Sequence, residues 1–316
     1  MSEIHYGRNR KGITRELNNK MTEWLSTIDD IPLREQVAKE VIVTGGSIAS
    51  MLLGEKVNDF DVYLKTKATT KAIAEYYVAK FNAASKPKSA VGSEITAVPY
   101  VTEDIIKNCK GELEERVVIY IKSAGVAAEG QDTYRYFESQ PDDVTQAFVD
   151  SLAESKDDAK TKYRPIFLSA NAITLSNSVQ LITRFYGEPD KIHDNFDFVH
   201  AMSYYDFNQK NLVLPAKALE CLLSRTLIYT GSLYPVASIF RMKKFLEHGW
   251  RINAGQQLKI MWQISELDLK DPVTLQEQLT GCDAAYLHQL IEALKDVAPE
   301  KINSAYVAEI IDRIFG

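Results

Sequence analysis

The chain has 316 residues, 45% of them hydrophobic and 25% charged, with a net charge of −6, which excludes a disordered tail, a collagen-like rod and a polycation that coats nucleic acid. The length suggests two domains, or one with a large insertion. Its three cysteines, Cys109, Cys221 and Cys282, lie far apart with no CxxC pair, which argues against a disulfide framework or a cysteine zinc site and fits a reducing cytoplasm.

The first residues, MSEIHYGRNRKG, are polar and hold no apolar h-region, so no secretory signal is expected. Residues 12–40 read as a helix, with Leu17, Met21 and Leu25 spaced by four. EVIVTGG is a β-branched run that stops at glycines, which predicts a buried strand ending in a turn. SIASMLLG then places Ile48, Met51 and Leu52 on one helical face, with Ser47 as the expected N-cap and Gly54 past the end. DFDVYL reads as a second strand, and TTKAIAEYYVAKFNAA as an amphipathic helix closed by Lys86-Pro87.

ERVVIYIKS (115–123) is a third strand candidate, and residues 125–160 are loop-like and acidic, the pattern of an insertion. Residues 100–160 hold fourteen acidic and seven basic side chains, a solvated stretch. RPIFLSANAITL and SVQLITRF read as paired strands joined by Ser176-Asn177. From Pro215 the pattern turns helical, with Leu219, Leu222 and Leu223 before Gly231, then Val236, Ile239, Phe240 and Leu246 before Gly249; further helices fill 255–267 and 283–315. Residues 211–260 carry seven basic and two acidic side chains, a balance that suits a phosphate backbone. No apolar run approaches the roughly 18 residues that span a bilayer.

The chemistry concentrates in residues 43–64, where a glycine turn is followed by Asp59-Phe60-Asp61. In a strand the two aspartates point one way while Phe60 points to the core. Adjacent carboxylates repel, and a cation neutralises them. Mg²⁺ suits hard oxygen ligands and takes one or two carboxylates together with substrate phosphates. A glycine turn feeding a helix N-terminus offers backbone N–H groups and a positive dipole end to a triphosphate, which nominates Gly45, Gly46 and Ser47. Together these parts meet the needs of in-line nucleotidyl transfer. The competing reading is a plain turn followed by a surface DFD with no ligand. An EF-hand is excluded, because its third acidic ligand, its glycine at position six and its terminal Glu are all missing.

GGSIASMLLGEKVNDFDV resembles the head signature of the polymerase-β-like nucleotidyltransferase superfamily. It is most similar to that of bacterial CCA-adding enzymes and poly(A) polymerases, with the pattern GGxVRDxLLGxxxxDxD. Gly45, Gly46, Leu52, Leu53, Gly54, Asp59 and Asp61 fall on this pattern without a gap. DFVHAMSYYD (197–206) resembles the segment RRDFTINAMAYD with one residue missing, and YPVASIFRMKKFLEHGW (234–250) resembles the helix DPLRxLRAxRFAxxLGW. The resemblance implies an α/β (α+β) nucleotidyltransferase head with a mixed sheet over 1–210, including the acidic insertion, and an all-helical domain over 211–316. It implies Mg²⁺-dependent transfer of a nucleotide from an NTP to an acceptor hydroxyl, with an RNA 3′ end, tRNA-like or otherwise, as the first choice. Asp59 and Asp61 would hold the metal and Asp197 would be a third catalytic carboxylate, with Asp194 as its competitor.

Departures from the pattern speak against CCA addition itself and mark a divergent member, with an orphan, phage-type branch as one alternative. Ala49-Ser50 replace the Arg-Asp after the turn, Asn195-Phe196 replace the paired arginines, and the base-reading EDxxR is absent near Tyr234-Pro235. The acidic residue of FEVTT falls at Gln180, and an amide cannot supply the charge of a bridging carboxylate. Two alternatives follow: a head that binds nucleotide or RNA without chemistry, and a toxin-like enzyme that nucleotidylates tRNA or protein. Among the basic residues, Arg184 is assigned to the nucleotide, and Arg241 with Lys244 to RNA; each alone reads as an ordinary surface charge. His193, Asp197 and His200 would share a helix face, but His5, His248 and His288 are not placed to complete a metal site, so structural histidines are expected. Tyr204, Tyr205 and Tyr234 read as core residues or as base-stacking platforms.

Overall fold

The computed structural model describes residues 7–84, 88–89, 98–107, 113–120, 126–127 and 162–269, with Asp271, Thr274, Gln278, Ala305 and Glu309 beyond them. Cys109, Cys282, His5, His288, Lys86-Pro87, the helix expected over 283–315 and most of the acidic stretch at 125–160 lie outside the described residues.

Helix α1 (Arg10–Ser26) starts where the Asn9 side chain accepts from the Gly12 N–H at 2.8 Å, and it buries Ile13, Leu17, Met21, Trp24 and Leu25. The single helix expected over 12–40 is two. Asp30 caps a new helix, α2 (Ile31–Glu40), with Pro32 in its first turn. Proline lacks the N–H that a continuing helix needs and fits only at such a start.

Strand β1 (Ile42–Thr44) leads through the glycine turn into α3 (Gly46–Leu53), then β2 (Phe60–Tyr63) and α4 (Lys67–Ala84). The later strands are β3 (Lys88–Ser89), β4 (Tyr100–Lys107), β5 (Leu113–Tyr120), β6 (Val126–Ala127), β7 (Pro165–Leu168), β8 (Ala172–Leu175) and β9 (Val179–Ile182). RPIFLSANAITL therefore makes two strands, β7 and β8, because Ser169 to Asn171 turn the chain. After α5 (Pro189–His193) and a 3₁₀ turn (Val199–Ala201) come β10 (Tyr204–Asp206) and β11 (Asn211–Val213).

Nine of these strands form one mixed sheet in the order β11-β10-β1-β2-β9-β8-β7-β6-β3. Its parallel pairing is β2 with β9, which sets Asp61 opposite Gln180; the other pairings are antiparallel. The remaining strands β4 and β5 form a separate hairpin. On one sheet face, Val43, Phe60, Val62, Leu64, Ile173 and Leu181 join α1, α2 and α4 in the main core. Each buried aliphatic or aromatic side chain there contributes about 1.5–3 kcal/mol.

The C-terminal part holds α6 (Ala216–Ser224), α7 (Pro235–Glu247) and α8 (Ala254–Ser265), with the short parallel pair β12 (Thr226–Leu227) and β13 (Arg251–Ile252) interrupting the helical run. The boundary expected after residue 210 falls inside the β10–β11 hairpin, so β11 belongs to the sheet. A second core joins Ala49, Leu52 and Leu53 of α3 to Phe198, Leu222, Leu227, Tyr229, Trp250 and Ile260. The glycine-turn helix is thus packed on its far side by the C-terminal part. Among the described residues no helix is long and apolar enough to cross a membrane.

Candidate functional site

Gly45 adopts φ +98°, a left-handed conformation that favours glycine, and its N–H donates to the Ala201 carbonyl at 3.2 Å. A Cβ built on Gly45 would stand 2.6 Å from Asp61 Oδ2. The Asp61 carboxylate therefore occupies the space that the missing side chain leaves. Strand alternation sends Phe60 and Val62 to the core and Asp61 with Tyr63 to the other face. Burial, and after it the Asp61 charge, raises the Tyr63 phenol well above its ordinary range.

The turn departs from expectation in two details. Gly45, not Ser47, is the N-cap residue of α3, and no side chain caps that end. Ser47 lies in the first helical turn, buried, and its Oγ has no hydrogen-bond partner among the described residues. The amide of Gly45 is spent on the Ala201 carbonyl. Gly54 closes the helix with φ +73°, as its spacing predicts.

Asp59 keeps partial solvent contact, yet protein atoms crowd its carboxyl. Burial pushes its pKa up to about 6, against the opposing charges of Lys244 and Lys20. Lys20 comes from α1, held between the rings of Phe60 (5.1 Å) and Tyr163 (5.6 Å). Neighbouring Asn58 has a buried Oδ1 without a partner among the described residues. A desolvated carboxylate and an orphaned amide oxygen on adjacent residues are oxygen donors of the kind a hard divalent cation takes. Asp59 and Asp61 would hold such an ion. Gln180, half-buried opposite Asp61, stands where a third carboxylate is wanted. Among the described residues no group of three or more His, Cys, Asp or Glu side chains forms a metal cluster.

The remaining expected residues distribute unevenly. Asp197 and Arg241, assigned to metal and RNA respectively, bind each other: Arg241 Nε donates to Asp197 Oδ2 at 2.6 Å. The ion pair ties α7 to the segment before the 3₁₀ turn, and a carboxylate so engaged is a positioning group rather than an open metal ligand. Lys244, on the same helix, is exposed and acts on Asp59. Arg184 is buried at 5% exposure, its guanidinium 4.3 Å from the Tyr234 ring centroid. Tyr205 is a core residue, and half-buried Tyr204 packs near His193.

His193 and His200 do not share a helix, because α5 ends at His193. His193 Nε2 lies 2.8 Å from Thr44 Oγ1, and His200 packs 4.5 Å from both the Phe245 and Trp250 rings. Burial lowers both imidazoles to about 4, so they are neutral structural groups, as expected. Exposed Asp194 lines a cleft of about 920 Å³ with His193, Lys259 and Trp262, and neither Asp59 nor Asp61 reaches it. Lys20 and Asn58 were not singled out from the sequence: Asn58, one residue before the DxD, carries a local signal, and Lys20 carries none.

The model of the Gabija anti-defense 2 family protein matches residues 15–225, more than half of the chain, so the chain belongs to the Gabija anti-defense 2 family. It is 24% identical over 132 residues to Gabija anti-defense 2 of Bacillus phage SPbetaL7, covering 42% of this chain and 32% of that protein. Among solved structures it is similar to the Thermotoga maritima CCA-adding enzyme complexed with tRNA, with TM-score 0.37 and 13% identity, over 93% of this chain and 53% of that one. A CCA-adding enzyme complexed with ATP gives TM-score 0.38 and 13% identity, over 95% and 50%. The chain thus spans about a third of the curated relative and about half of the solved chains.

Proposed function

We propose that this member of the Gabija anti-defense 2 family serves the anti-defense role its family name carries through a nucleotidyltransferase head. That head would move a nucleotide from an NTP to an acceptor hydroxyl, an RNA 3′ end by preference. The observation that carries the reading is the seating of Asp61 in the space above Gly45, which brings a carboxylate against the mouth of an uncapped helix.

The residues divide the work. Gly46, Ser47 and the positive end of α3 receive the triphosphate. Asp59 and Asp61 would hold Mg²⁺, which supplies charge neutralisation and a more acidic attacking hydroxyl. Lys20 and Lys244 keep the Asp59 carboxylate from rising further in pKa. The Arg241–Asp197 pair fixes α7 so that Lys244 stays near the carboxylates. The test is incubation with each labelled NTP, Mg²⁺ and separate RNA or protein pools. Label in an RNA pool supports the reading, label in protein moves the acceptor, and no label in any pool defeats the transfer.

One observation favours a second reading. The β2–β9 register sets an amide, Gln180, opposite Asp61. A head short of its third carboxylate would bind NTP and Mg²⁺ without turnover, so the protein would act by sequestering nucleotide or RNA. Calorimetric NTP binding without pyrophosphate release would establish it.

A further inference from the structure

We propose that Arg184, beside the ring of Tyr234, and Arg116 form a site for a terminal phosphate of the acceptor, apart from the carboxylate pair; the assignment of this phosphate to an acceptor rests on the nucleotidyl-transfer reading above. Arg184 is 5% exposed, and its Nε and Nη2 are buried without a hydrogen-bond partner. No carboxylate among the described residues lies within ion-pair distance of it. Tyr186 Oη, two residues on, donates to the Glu115 carbonyl of β5 at 2.7 Å, which sets the Arg184 segment against the strand that carries another cation, Arg116, whose charge acts on Arg184. Arg116 has its own buried and unpartnered Nε, while its Nη2 donates to Asp104 Oδ2 at 2.7 Å.

Unpaired buried N–H donors cost free energy, and a buried charge beside a like charge costs more. Burial, then the charge of Arg116, pushes the Arg184 pKa down to about 9, which leaves it protonated at neutral pH. The fold keeps two guanidiniums together with three unused donors, and an oxyanion with several acceptor oxygens satisfies all of them. The half-buried Tyr234 ring lies 4.3 Å from the Arg184 guanidinium and Phe185 lies 5.3 Å from it. Two rings flank the guanidinium, an arrangement that suits one compact phosphate end rather than a continuous backbone.

The location assigns the phosphate to the second substrate. Tyr234 starts α7 and lies against Arg184, while Lys244, ten residues on, acts on Asp59. Ten helical residues span roughly 15 Å. A nucleoside triphosphate carries its phosphates at one end, so a triphosphate held at Gly46 and Ser47 leaves the Arg184 end to a different molecule.

Calorimetry of inorganic phosphate against the full chain, at low salt without Mg²⁺, tests the site. Wild type should bind saturably, and Arg184→Met and Arg116→Met at least tenfold more weakly. Arg184→Lys, which keeps the charge but not the planar fork, should fall between. A nucleoside 5′-monophosphate should compete with phosphate, and the nucleoside should not. No binding by wild type, or undiminished binding by the Arg184 and Arg116 variants, overturns the site, and competition by the bare nucleoside overturns the phosphate-end assignment. If circular dichroism shows Arg184→Met unfolded, Arg116→Met and Tyr234→Leu decide, and two unchanged affinities overturn the proposal. NTP labelling of wild type is scored separately. Arginine-dependent phosphate binding without labelling means that the transfer reading failed and the anion site did not.

Discussion

The Asp61 carboxylate and Gly45 occupy one another's space: Oδ2 lies 2.6 Å from where a Gly45 Cβ would be, at a residue with φ +98°. Gly45→Ala therefore meets two penalties, a left-handed backbone that disfavours a side chain and a clash with the Asp61 carboxylate. The expected outcome is a loss of about 1–3 kcal/mol in denaturant stability, together with loss of NTP labelling. Gly46→Ala meets nothing within 4 Å, and it should retain much more of its stability. Equal stability losses in the two variants would show that Asp61 does not depend on Gly45.

Asp59 and Asp61 are the proposed Mg²⁺ ligands. Asp59→Asn or Asp61→Asn should lower labelling by orders of magnitude while the circular dichroism spectrum is kept. The Asp59 carboxyl, raised to about 6 by burial, must be ionised to serve. Labelling at limiting Mg²⁺ should rise as pH increases through about 6, and saturating Mg²⁺ should shift that midpoint downward because the ion favours the carboxylate. Chelation should abolish labelling reversibly. A midpoint indifferent to Mg²⁺ would remove Asp59 from the metal site.

Gln180 faces Asp61 across the parallel pair. If the missing charge limits turnover, Gln180→Glu should raise the labelling rate while NTP affinity changes little. A variant that binds NTP and stays silent would place the defect elsewhere, and one that loses NTP binding would show that the amide itself is required.

His200 is 3% exposed and held neutral, its pKa lowered to about 4 by burial. The unfolded chain binds that proton near pH 6.5, so stability is complete above about 6.5 and falls as pH drops toward 4. The loss amounts to about 3 kcal/mol at most. Asp59, with a raised pKa, works in the opposite sense, its stabilisation fading as pH rises through 6. The difference between wild type and His200→Phe isolates the histidine. Urea unfolding at pH 7.5 and pH 5 should show a smaller pH penalty in the variant, and identical penalties would discard this account.

Arg241 and Lys244 share a helix but not a role. Lys244→Ala should weaken RNA binding and flatten the plot of log affinity against log salt by about 0.7, the slope that one neutralised single-strand phosphate supplies. Arg241→Ala should instead reproduce Asp197→Asn, through the broken pair and a displaced α7. If Arg241→Ala changes the salt slope while Asp197→Asn is silent, the arginine binds RNA directly.

What the sequence determined by itself was local. The strand, glycine turn, helix and second strand of residues 42–63 follow from propensities and from Gly45 and Gly54 at left-handed positions, all within one short stretch. The alternation of Phe60 with Asp61 was legible for the same reason, while Asp59 lies just before the strand. Even the break at Pro32 was written locally, though the helical period masked it. The tertiary structure decided which residues meet across long separations. Gln180 faces Asp61 only because β9 docks parallel to β2, a register set by burial of Val179 and Leu181 against the core. Asp197 met Arg241, and Lys20 approached Asp59, through packing of whole helices. Arg184 offered no local sign of burial. Its paired cations became visible only when β5, the end of β9 and the start of α7 were brought together. Periodicity specifies which face of an element is apolar; the partner that covers it, and hence which charges become neighbours, is settled by non-local packing.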